Sequence, residues 1–248
     1  MAGNGFAGFV LEVNLTTRRF VRMPLKQALS GKALAARLLL DYTDGSEQPL
    51  SEEGPVVVAA ALLTGTGAPG ANRFDLASLS PKEGLPAFSN CGGAFGLYLK
   101  KAGYDALILK GKSETPVWVE ISGETVHFHD ARRLAGLGTG ACRNRLEETL
   151  GKKFASLCIG PAGEHLVKFA SLVADGHSTG RAGLGAVLGW KNLKAVTVSG
   201  QQELPVFNPE GVLETNRQWH TRLRETAREP MGEGYCRSCP LHCARHRQ

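Results

Sequence analysis

The sequence is poor in aromatic residues and lacks the apolar runs that mark several large protein classes. Phe, Trp and Tyr make up only 7% of its 248 residues, which disfavours a protein that binds nucleic acids by stacking bases on aromatic side chains. No run of about 18 apolar residues is present to span a membrane, and the first residues lack the basic and apolar regions of a signal peptide. We therefore expect a cytoplasmic protein whose partners are neither nucleic acids nor membranes.

The common nucleotide-binding motifs are also missing from their usual places. No GxGxxG opens a helix after the first predicted strand, and no GxxxxGK followed by Ser or Thr occurs, so nucleotide-binding folds lose support. Six cysteines without a signal peptide indicate the cytosol, where clustered thiols bind metal more often than they form disulfides.

Glycine and positive charge, in contrast, are in excess. The 31 glycines indicate many tight turns or backbone segments that lie close to a ligand. The net charge of +6 is spread along the chain, and its most basic part, residues 214–229, carries three glutamates beside four arginines. We interpret that part as the solvated face of a helix rather than as a nucleic-acid surface.

The pattern of apolar residues predicts an α+β fold with largely antiparallel or mixed sheets. Strands are predicted at residues 6–14, 19–23, 55–63, 73–79, 106–109, 117–121, 125–128, 155–159, 167–173 and 193–198, and helices at 25–40, 97–101, 140–150 and 210–228. Residues 81–96 are interpreted as an irregular Gly/Pro/Ser/Asn segment. The proline-containing stretch 205–209 is interpreted as a linker, which divides the chain into a domain at 1–204 and a segment at 205–248.

Three segments concentrate glycine: residues 63–70, 88–93 and 180–186, here called the first, second and third glycine segments. Backbone N–H groups in such loops approach phosphates or heterocycle edges closely, and Arg73 and Arg181 at their edges offer bidentate donors. An ordinary tight turn explains each segment taken alone. Taken together, the three segments favour ligand binding about as much as ordinary turns. We expect both arginines to face one concave surface.

The strongest local motif is Cys236-x2-Cys239-x3-Cys243. Three thiolates within eight residues are compact enough to bind three irons of a 4Fe–4S cluster. Zinc is the rival, because His246 would complete a Cys/His set of four ligands. Thiols without metal are the third alternative.

In order and spacing, several segments of the sequence resemble the amino-terminal part of the aldehyde ferredoxin oxidoreductases, which bind tungsten or molybdenum through two pterins. The resemblance rests on residues 63–69, 73–74, 80–81, 89–93, 101–105, 111–112, 159–164, 180–189 and 191–195, followed by the cysteine motif. It extends from about residue 6 to residue 243.

The resemblance implies two β-sheets with packed helices that form a base for one pterin of the cofactor. By position in the family's motifs, the residues that contact this pterin and its phosphate are Arg73, Asn90, Gly92, Arg181, Ala182, Gly183 and Gly185. Cys91 is added to this cofactor-binding set, although it stands where a small residue is usual, so that its thiol either crowds the site or only packs there. Trp190 also replaces a small residue. The three motif cysteines are implied to be three of the four cluster ligands.

The same resemblance implies an oxidoreductase that converts aldehydes to carboxylates and passes electrons through the cluster to a ferredoxin-like acceptor. Family members are much longer, and their further domains hold the second pterin, the fourth cluster ligand and the acid–base residues. We therefore expect a split subunit or fragment with no catalytic residues of its own. It would be inactive alone and would bind its cluster only against a partner, either a subunit with the remaining domains or a second copy. The alternatives are a non-catalytic pterin-binding, electron-transfer or maturation protein, and a zinc-stabilised domain.

Overall fold

The computed structural model of the protein describes residues 4–151 and 153–226. The chain divides into two units, the first ending at Phe207 and the second beginning at Asn208; the predicted boundary at 204/205 stays a prediction. Cys236, Cys239 and Cys243 lie outside the described residues. No helix in the described part is both long enough and apolar enough to cross a membrane.

The elements of the first unit are β1 (Phe9–Asn14), β2 (Arg19–Pro24), α1 (Gly31–Asp41), β3 (Val56–Ala60), β4 (Arg73–Leu79), β5 (Pro86–Gly92), α2 (Phe95–Lys101), β6 (Ala106–Lys110), β7 (Val117–Ser122), β8 (Thr125–Asp130), α3 (Thr139–Leu150), β9 (Ala155–Ile159), α4 (Pro161–Glu164), β10 (Leu172–Ala174), β11 (His177–Thr179), α5 (Leu184–Trp190) and β12 (Leu193–Ser199). The second unit contains α6 (Pro209–Thr226).

The strands form two six-stranded sheets, which confirms the predicted α+β class with mixed sheets. The first sheet has the order β2-β1-β6-β3-β4-β5 and the second β11-β10-β9-β12-β7-β8. In each sheet one pair is parallel, β1 with β6 and β12 with β7, and the other pairs are antiparallel.

Strand β3 explains why its sequence is apolar at every position. Val56 and Val58 belong to the core that the strands of both sheets share with α2 and α5, whereas Val57 and Ala59 pack in the cluster that includes α1. Because successive side chains of a strand point to opposite faces, a strand covered on both faces needs apolar residues throughout. Full burial of each valine contributes about 1.5–3 kcal/mol relative to exposure.

The outer face of the second sheet is covered in the same way by α3. Cys142 and Leu146 of this helix pack with Trp118, Cys158 and Ala195 of the strands. The protein is thus layered, with α1 on the first sheet, α2 and α5 in the core between the sheets, and α3 on the second sheet.

Several predicted boundaries were wrong, and local hydrogen bonds give the reasons. The helix predicted at 25–40 begins only at Gly31, because the N–H of Leu25 donates to the Gly8 carbonyl at 2.8 Å and continues the pairing of β2. The strand predicted at 55–63 ends at Ala60, where the N–H of Thr64 bonds back to Ala61 and begins a turn.

The largest error is β5, which occupies residues interpreted as an irregular segment. Pro86–Gly92 pairs with β4 along its whole length, from Arg73 opposite Gly92 to Leu79 opposite Pro86. Its sequence, PAFSNCG, lacks regular alternation, so pairing with β4 rather than its own propensity makes it a strand. The second glycine segment is therefore an extended edge strand and not a loop.

Lys191 is a fully buried cation that joins three parts of the first unit. Its ammonium donates hydrogen bonds to the carbonyl oxygens of Ser51 at 3.0 Å, Gly111 at 3.1 Å and Glu52 at 3.4 Å. These bonds tie the end of β6 and the segment before β3 to the end of α5. Burial lowers the pKa of Lys191 to about 8.

Replacing Lys191 with methionine is expected to remove part of the pH dependence of stability. Between about pH 8 and 10.5 the folded protein releases the Lys191 proton while the unfolded chain keeps it, so the free energy of unfolding rises with pH. From pH 7 to pH 9 the wild type should gain about 1 kcal/mol more than the variant. Urea unfolding of both proteins at the two pH values measures the difference, and an equal pH dependence would contradict the assignment.

In the second unit, Asn208 caps α6. Its side-chain Oδ1 accepts the N–H of Gly211 at 2.9 Å, and Pro209 occupies the first helical position. This pattern is typical of a helix N-terminus.

Candidate cofactor-binding site

The first glycine segment folds back on the start of β4 and fixes Arg73. The buried Thr64 hydroxyl accepts the N–H of Arg73 at 3.0 Å, and it lies 2.6 Å from the Arg73 carbonyl oxygen and 2.9 Å from that of Ala71. The N–H of Gly65 donates to Oδ1 of Asn72 at 3.1 Å. The Thr64 hydroxyl therefore holds the backbone of Arg73 in place.

Arg73 and Asn90 form the next part of the site on adjacent strands. Arg73 donates from Nε to Oδ1 of Asn90, whose Nδ2 donates to Oδ1 of Asp75 at 3.0 Å and to the Phe74 carbonyl at 3.3 Å. Each polar atom of the Asn90 amide already has a partner, so this side chain orients the guanidinium. Both residues are exposed, and Gly92 lies opposite Arg73 in the register.

Cys91 packs inward, in contrast to its exposed neighbour Asn90. The thiol is 3% exposed and belongs to the central core, with its Sγ 3.9 Å from the carbonyl oxygen of His177. Burial raises the pKa of Cys91, so the side chain is a neutral thiol at neutral pH. The sequence left open whether this thiol crowds the site or only packs beside it, and in the structure it packs in the core. A contact of Cys91 with a cofactor stays a prediction.

His177 is a neighbour of the site that sequence reasoning missed. A Cβ atom added to Gly93 would lie 3.1 Å from Cδ2 of His177, and Gly93 has a φ of +109°. The imidazole is exposed at the start of β11, next to the turn that follows Gly92. No spacing in the sequence relates position 177 to position 93, so no pattern could have identified it.

Two hydroxyl groups connect the second and third glycine segments. Oγ of Ser89 lies 3.0 Å from Oγ1 of Thr179 and accepts the N–H of Gly180 at 2.9 Å. Strand β5 therefore bonds to Arg73 through Asn90 and to Gly180, which precedes Arg181, through Ser89. The three glycine segments are joined in one region of the first unit, while the concave shape expected for it stays a prediction.

The third glycine segment presents three backbone donors. In the described part of the chain the N–H groups of Arg181, Ala182 and Gly183 have no hydrogen-bond partner, whereas the N–H of Leu184 bonds to the Gly180 carbonyl at 3.2 Å. Gly183 adopts the left-handed conformation, with φ 86° and ψ 16°. Successive N–H groups in such a turn form a concavity that binds anions.

The two arginines give the region its positive charge. Among the described residues neither Arg73 nor Arg181 forms an ion pair with a carboxylate. A guanidinium whose charge is not compensated offers a planar pair of donors to phosphate oxygens. The arrangement is able to bind an anionic group through charge and backbone donors together.

Gly185, by contrast, is needed for packing. Its N–H donates to the Ala170 carbonyl at 3.0 Å, and an added Cβ would lie 2.5 Å from the Ser171 carbonyl oxygen. Gly183 is equally restricted, because its Cβ would lie 2.2 Å from the Lys168 carbonyl oxygen. The Gly185 N–H is thus not available to a ligand, and the predicted contact of this residue with a cofactor stays untested.

The motif cysteines cannot be placed in this site, because they lie outside the described residues. Within the described residues no group of three or more His, Cys, Asp or Glu side chains could hold a metal ion. The described candidate site consists of arginines and backbone amides.

Comparison with known proteins gives consistent results. A model of the aldehyde ferredoxin oxidoreductase N-terminal domain matches residues 10–200. The tungsten-containing aldehyde ferredoxin oxidoreductase of Pyrococcus furiosus is 38% identical over 224 residues, which cover 88% of this chain and 37% of the relative. The aliphatic sulfonate oxidoreductase WOR-like subunit of the same organism is 32% identical, covering 83% and 36%.

A solved structure has the same fold. The active site complex BamBC of benzoyl coenzyme A reductase, in complex with 1,5-dienoyl-CoA, superposes with a TM-score of 0.87 and 34% sequence identity, covering 93% of this chain and 36% of that chain. The chain spans little more than a third of the length of the relatives that it matches. Since the family model and the relatives agree over most of the chain, the protein belongs to the aldehyde ferredoxin oxidoreductase family and contains its N-terminal domain.

Proposed function

We propose that this chain binds one pterin of a tungsten or molybdenum bis-pterin cofactor and contributes this half-site to an oxidoreductase of the aldehyde ferredoxin type. The observation that carries the proposal is the set of N–H groups at Arg181, Ala182 and Gly183, which have no hydrogen-bond partner among the described residues. The preceding Gly180 donates to Ser89 of β5, the strand that also holds Asn90, the partner of Arg73. The names of the tungsten-containing relatives support the metal.

The chemistry of these donors fits a pterin phosphate. A phosphate ester carries up to two negative charges and accepts several hydrogen bonds, which two guanidinium groups and three amides are suited to donate. Asn90 accepts a hydrogen bond from Nε of Arg73, and the Nη atoms of Arg73 have no partner among the described residues. These Nη atoms are therefore available to the ligand. We infer that Arg73 and Arg181 bind the phosphate and that Asn90 holds Arg73 in its orientation.

When bound, the metal–pterin group supplies the two-electron redox chemistry of such an enzyme. The residues of this chain bind and orient it. His177 lies beside Gly93 at the same edge. We assign it no catalytic step.

We propose further that Cys236, Cys239 and Cys243 bind three irons of a 4Fe–4S cluster that passes electrons to a ferredoxin-like protein. The fourth ligand, the second pterin half-site and the acid–base residues would come from further polypeptide. The names of two similar proteins, a WOR-like subunit and the BamBC complex, support an assembly of several parts.

Metal and pterin analysis of protein purified without oxygen tests this function. We expect tungsten or molybdenum together with pterin, and benzyl viologen reduction by an aldehyde only when the remaining polypeptide is present. Stoichiometric zinc without pterin would favour the zinc-stabilised domain. Pterin binding without activity in the complete assembly would favour a non-catalytic role.

Reconstitution with iron and sulfide tests the cluster separately. Three thiolates leave one iron without a cysteine ligand from this motif, so we expect a stable four-iron cluster only in the presence of the partner polypeptide. Iron counting and electron paramagnetic resonance of the wild type, Cys239→Ser and His246→Ala measure it. A stable cluster in the lone wild-type chain that persists in His246→Ala would contradict the shared site.

A further inference from the structure

His177 is an exposed residue beside the candidate cofactor-binding site, and the function proposed above gives it no role. The neighbouring residues Gly92 and Gly93 have no side chains, and a polar side chain lies next to each of them. A Cβ atom added to Gly92 would lie 3.5 Å from Nη1 of Arg73, and one added to Gly93 would lie 3.1 Å from Cδ2 and 3.8 Å from Nε2 of His177. The guanidinium and the imidazole therefore flank a stretch of bare backbone at the end of β5.

The short hairpin that carries His177 is fixed on both sides of this residue. On one side, Oδ1 of Asp175, in the turn between β10 and β11, accepts the N–H of Ser156 at 2.9 Å. On the other side, Oγ1 of Thr179 lies 3.0 Å from Oγ of Ser89. The imidazole between these two anchors is thus held beside Gly93 without using its own ring nitrogens, which have no hydrogen-bond partner among the described residues.

The groups assigned to the ligand so far are able only to donate hydrogen bonds. The guanidinium groups of Arg73 and Arg181 have no acceptor, and the free backbone groups of the third glycine segment are N–H donors. The amide of Asn90 contains an acceptor, but that atom is already bonded to Arg73. Such donors suit a phosphate. They do not suit the whole edge of a pterin heterocycle, because its pyrimidine ring carries N–H donors as well as acceptors.

An imidazole supplies the kind of group that these donors lack. In its neutral form one ring nitrogen donates a hydrogen bond and the other accepts one. The neighbouring hydroxyls of Ser89 and Thr179 are bonded to each other, and Ser89 also accepts the N–H of Gly180. His177, with both ring nitrogens free in the described structure, is able to pair with either kind of polar group on a heterocycle.

We propose, on the basis of the function given above, that His177 binds the edge of the pterin heterocycle, while Arg73 and Arg181 bind the phosphate. The bare backbone of Gly92 and Gly93 leaves room for the ring between the guanidinium and the imidazole. His177 is a binding residue in this assignment and takes no part in the redox chemistry.

Two phosphate monoesters test the proposal: hydroxymethylpterin phosphate, and glycerol phosphate, which has no heterocycle. Isothermal titration calorimetry with the full chain measures both affinities. His177→Ala should bind hydroxymethylpterin phosphate about tenfold more weakly than the wild type, because a hydrogen bond is lost, and should bind glycerol phosphate equally well. His177→Gln keeps a donor and an acceptor and should retain most of the affinity. Since glycerol phosphate needs the folded site, its unchanged binding also shows that the variant is folded.

Two further variants serve as controls. His127→Ala removes an exposed imidazole from β8 and should change neither affinity, whereas Arg181→Ala should weaken the binding of both ligands.

Three results would overturn the assignment of His177. They are wild-type affinity of His177→Ala for hydroxymethylpterin phosphate, an equal loss of affinity for glycerol phosphate in this variant, and binding of the pterin ligand by His177→Gln that is no tighter than by His177→Ala. Each of these leaves the proposed function intact, because the wild type still binds the pterin ligand. A wild type that does not bind hydroxymethylpterin phosphate contradicts the proposed function and this inference together.

Discussion

Replacing Gly189 with alanine is expected to lower the free energy of unfolding of the first unit by about 3 kcal/mol. The added Cβ would lie 1.9 Å from the carbonyl oxygen of Gly163 and 2.6 Å from its carbonyl carbon. Both atoms belong to the backbone of α4, which packs on α5, so no flexible side chain is able to move aside. The two short helices would have to separate, and the central core contacts of Leu188 would loosen with them. Urea denaturation of wild type and variant measures the change.

Gly140→Ala is the matched control for this substitution. Gly140 also lies in a helix, α3, but an added Cβ would meet nothing within 4 Å. Alanine there should stabilise the protein by about 0.5–1 kcal/mol, because it reduces the backbone freedom of the unfolded chain. If both variants changed stability by the same amount, the close contact of α4 with α5 would not be the reason for glycine at position 189.

The double variant Arg73→Ala/Arg181→Ala is expected to bind a pterin phosphate ester about 10²–10⁴-fold more weakly than the wild type. Removing each guanidinium removes a hydrogen bond to the charged phosphate, worth about 1.5–3 kcal/mol. Neither arginine forms an ion pair with a carboxylate of the described residues, so the weaker binding would not come from a broken ion pair within the protein. Pterin fluorescence in an equilibrium titration measures the affinity.

A second double variant, Arg19→Ala/Arg133→Ala, controls for the loss of two positive charges. Arg19 lies on the edge strand β2 and Arg133 follows β8, and both are exposed. If binding depended only on the net charge of +6, both double variants would be equally weak. We expect the control to bind nearly as well as the wild type.

The sequence predicts the fold well wherever local pattern and burial agree. The hairpin of β1 and β2, the strands of the second sheet up to β9 and the helix α3 follow from alternation and helical spacing. Strand β5 could not be predicted, since its residues become a strand only by pairing with β4. Helix α5 could not be predicted either, because glycines are typical of loops. In this helix they instead allow close packing against Ala170 and Gly163.

For the candidate site, the sequence predicts a set of residues but not what each of them contacts. The motifs identified Arg73, Asn90 and Arg181, and their resemblance to one family supplied the ligand. No pattern shows that Asn90 has all its polar atoms engaged, that Gly185 has lost its free N–H to Ala170, or that Ser89 joins the two segments. These facts depend on which strands meet at the edges of the two sheets, and that arrangement is set by tertiary packing.

The glycines of the third segment therefore serve two purposes. Gly183 permits a left-handed turn in which three N–H groups have no partner among the described residues, and it also fits against the Lys168 carbonyl. A substitution there changes both stability and anion binding, so it cannot separate the two. The N–H groups themselves have to be observed.

Backbone amide NMR during titration with a pterin phosphate ester observes them directly. We predict that the N–H signals of Arg181, Ala182 and Gly183 shift saturably, because these donors have no partner in the described structure, while the Gly185 signal shifts much less because its N–H is bonded to Ala170. Saturable binding that leaves the first three signals in place would contradict the assignment of this segment as the phosphate-binding part of a pterin half-site.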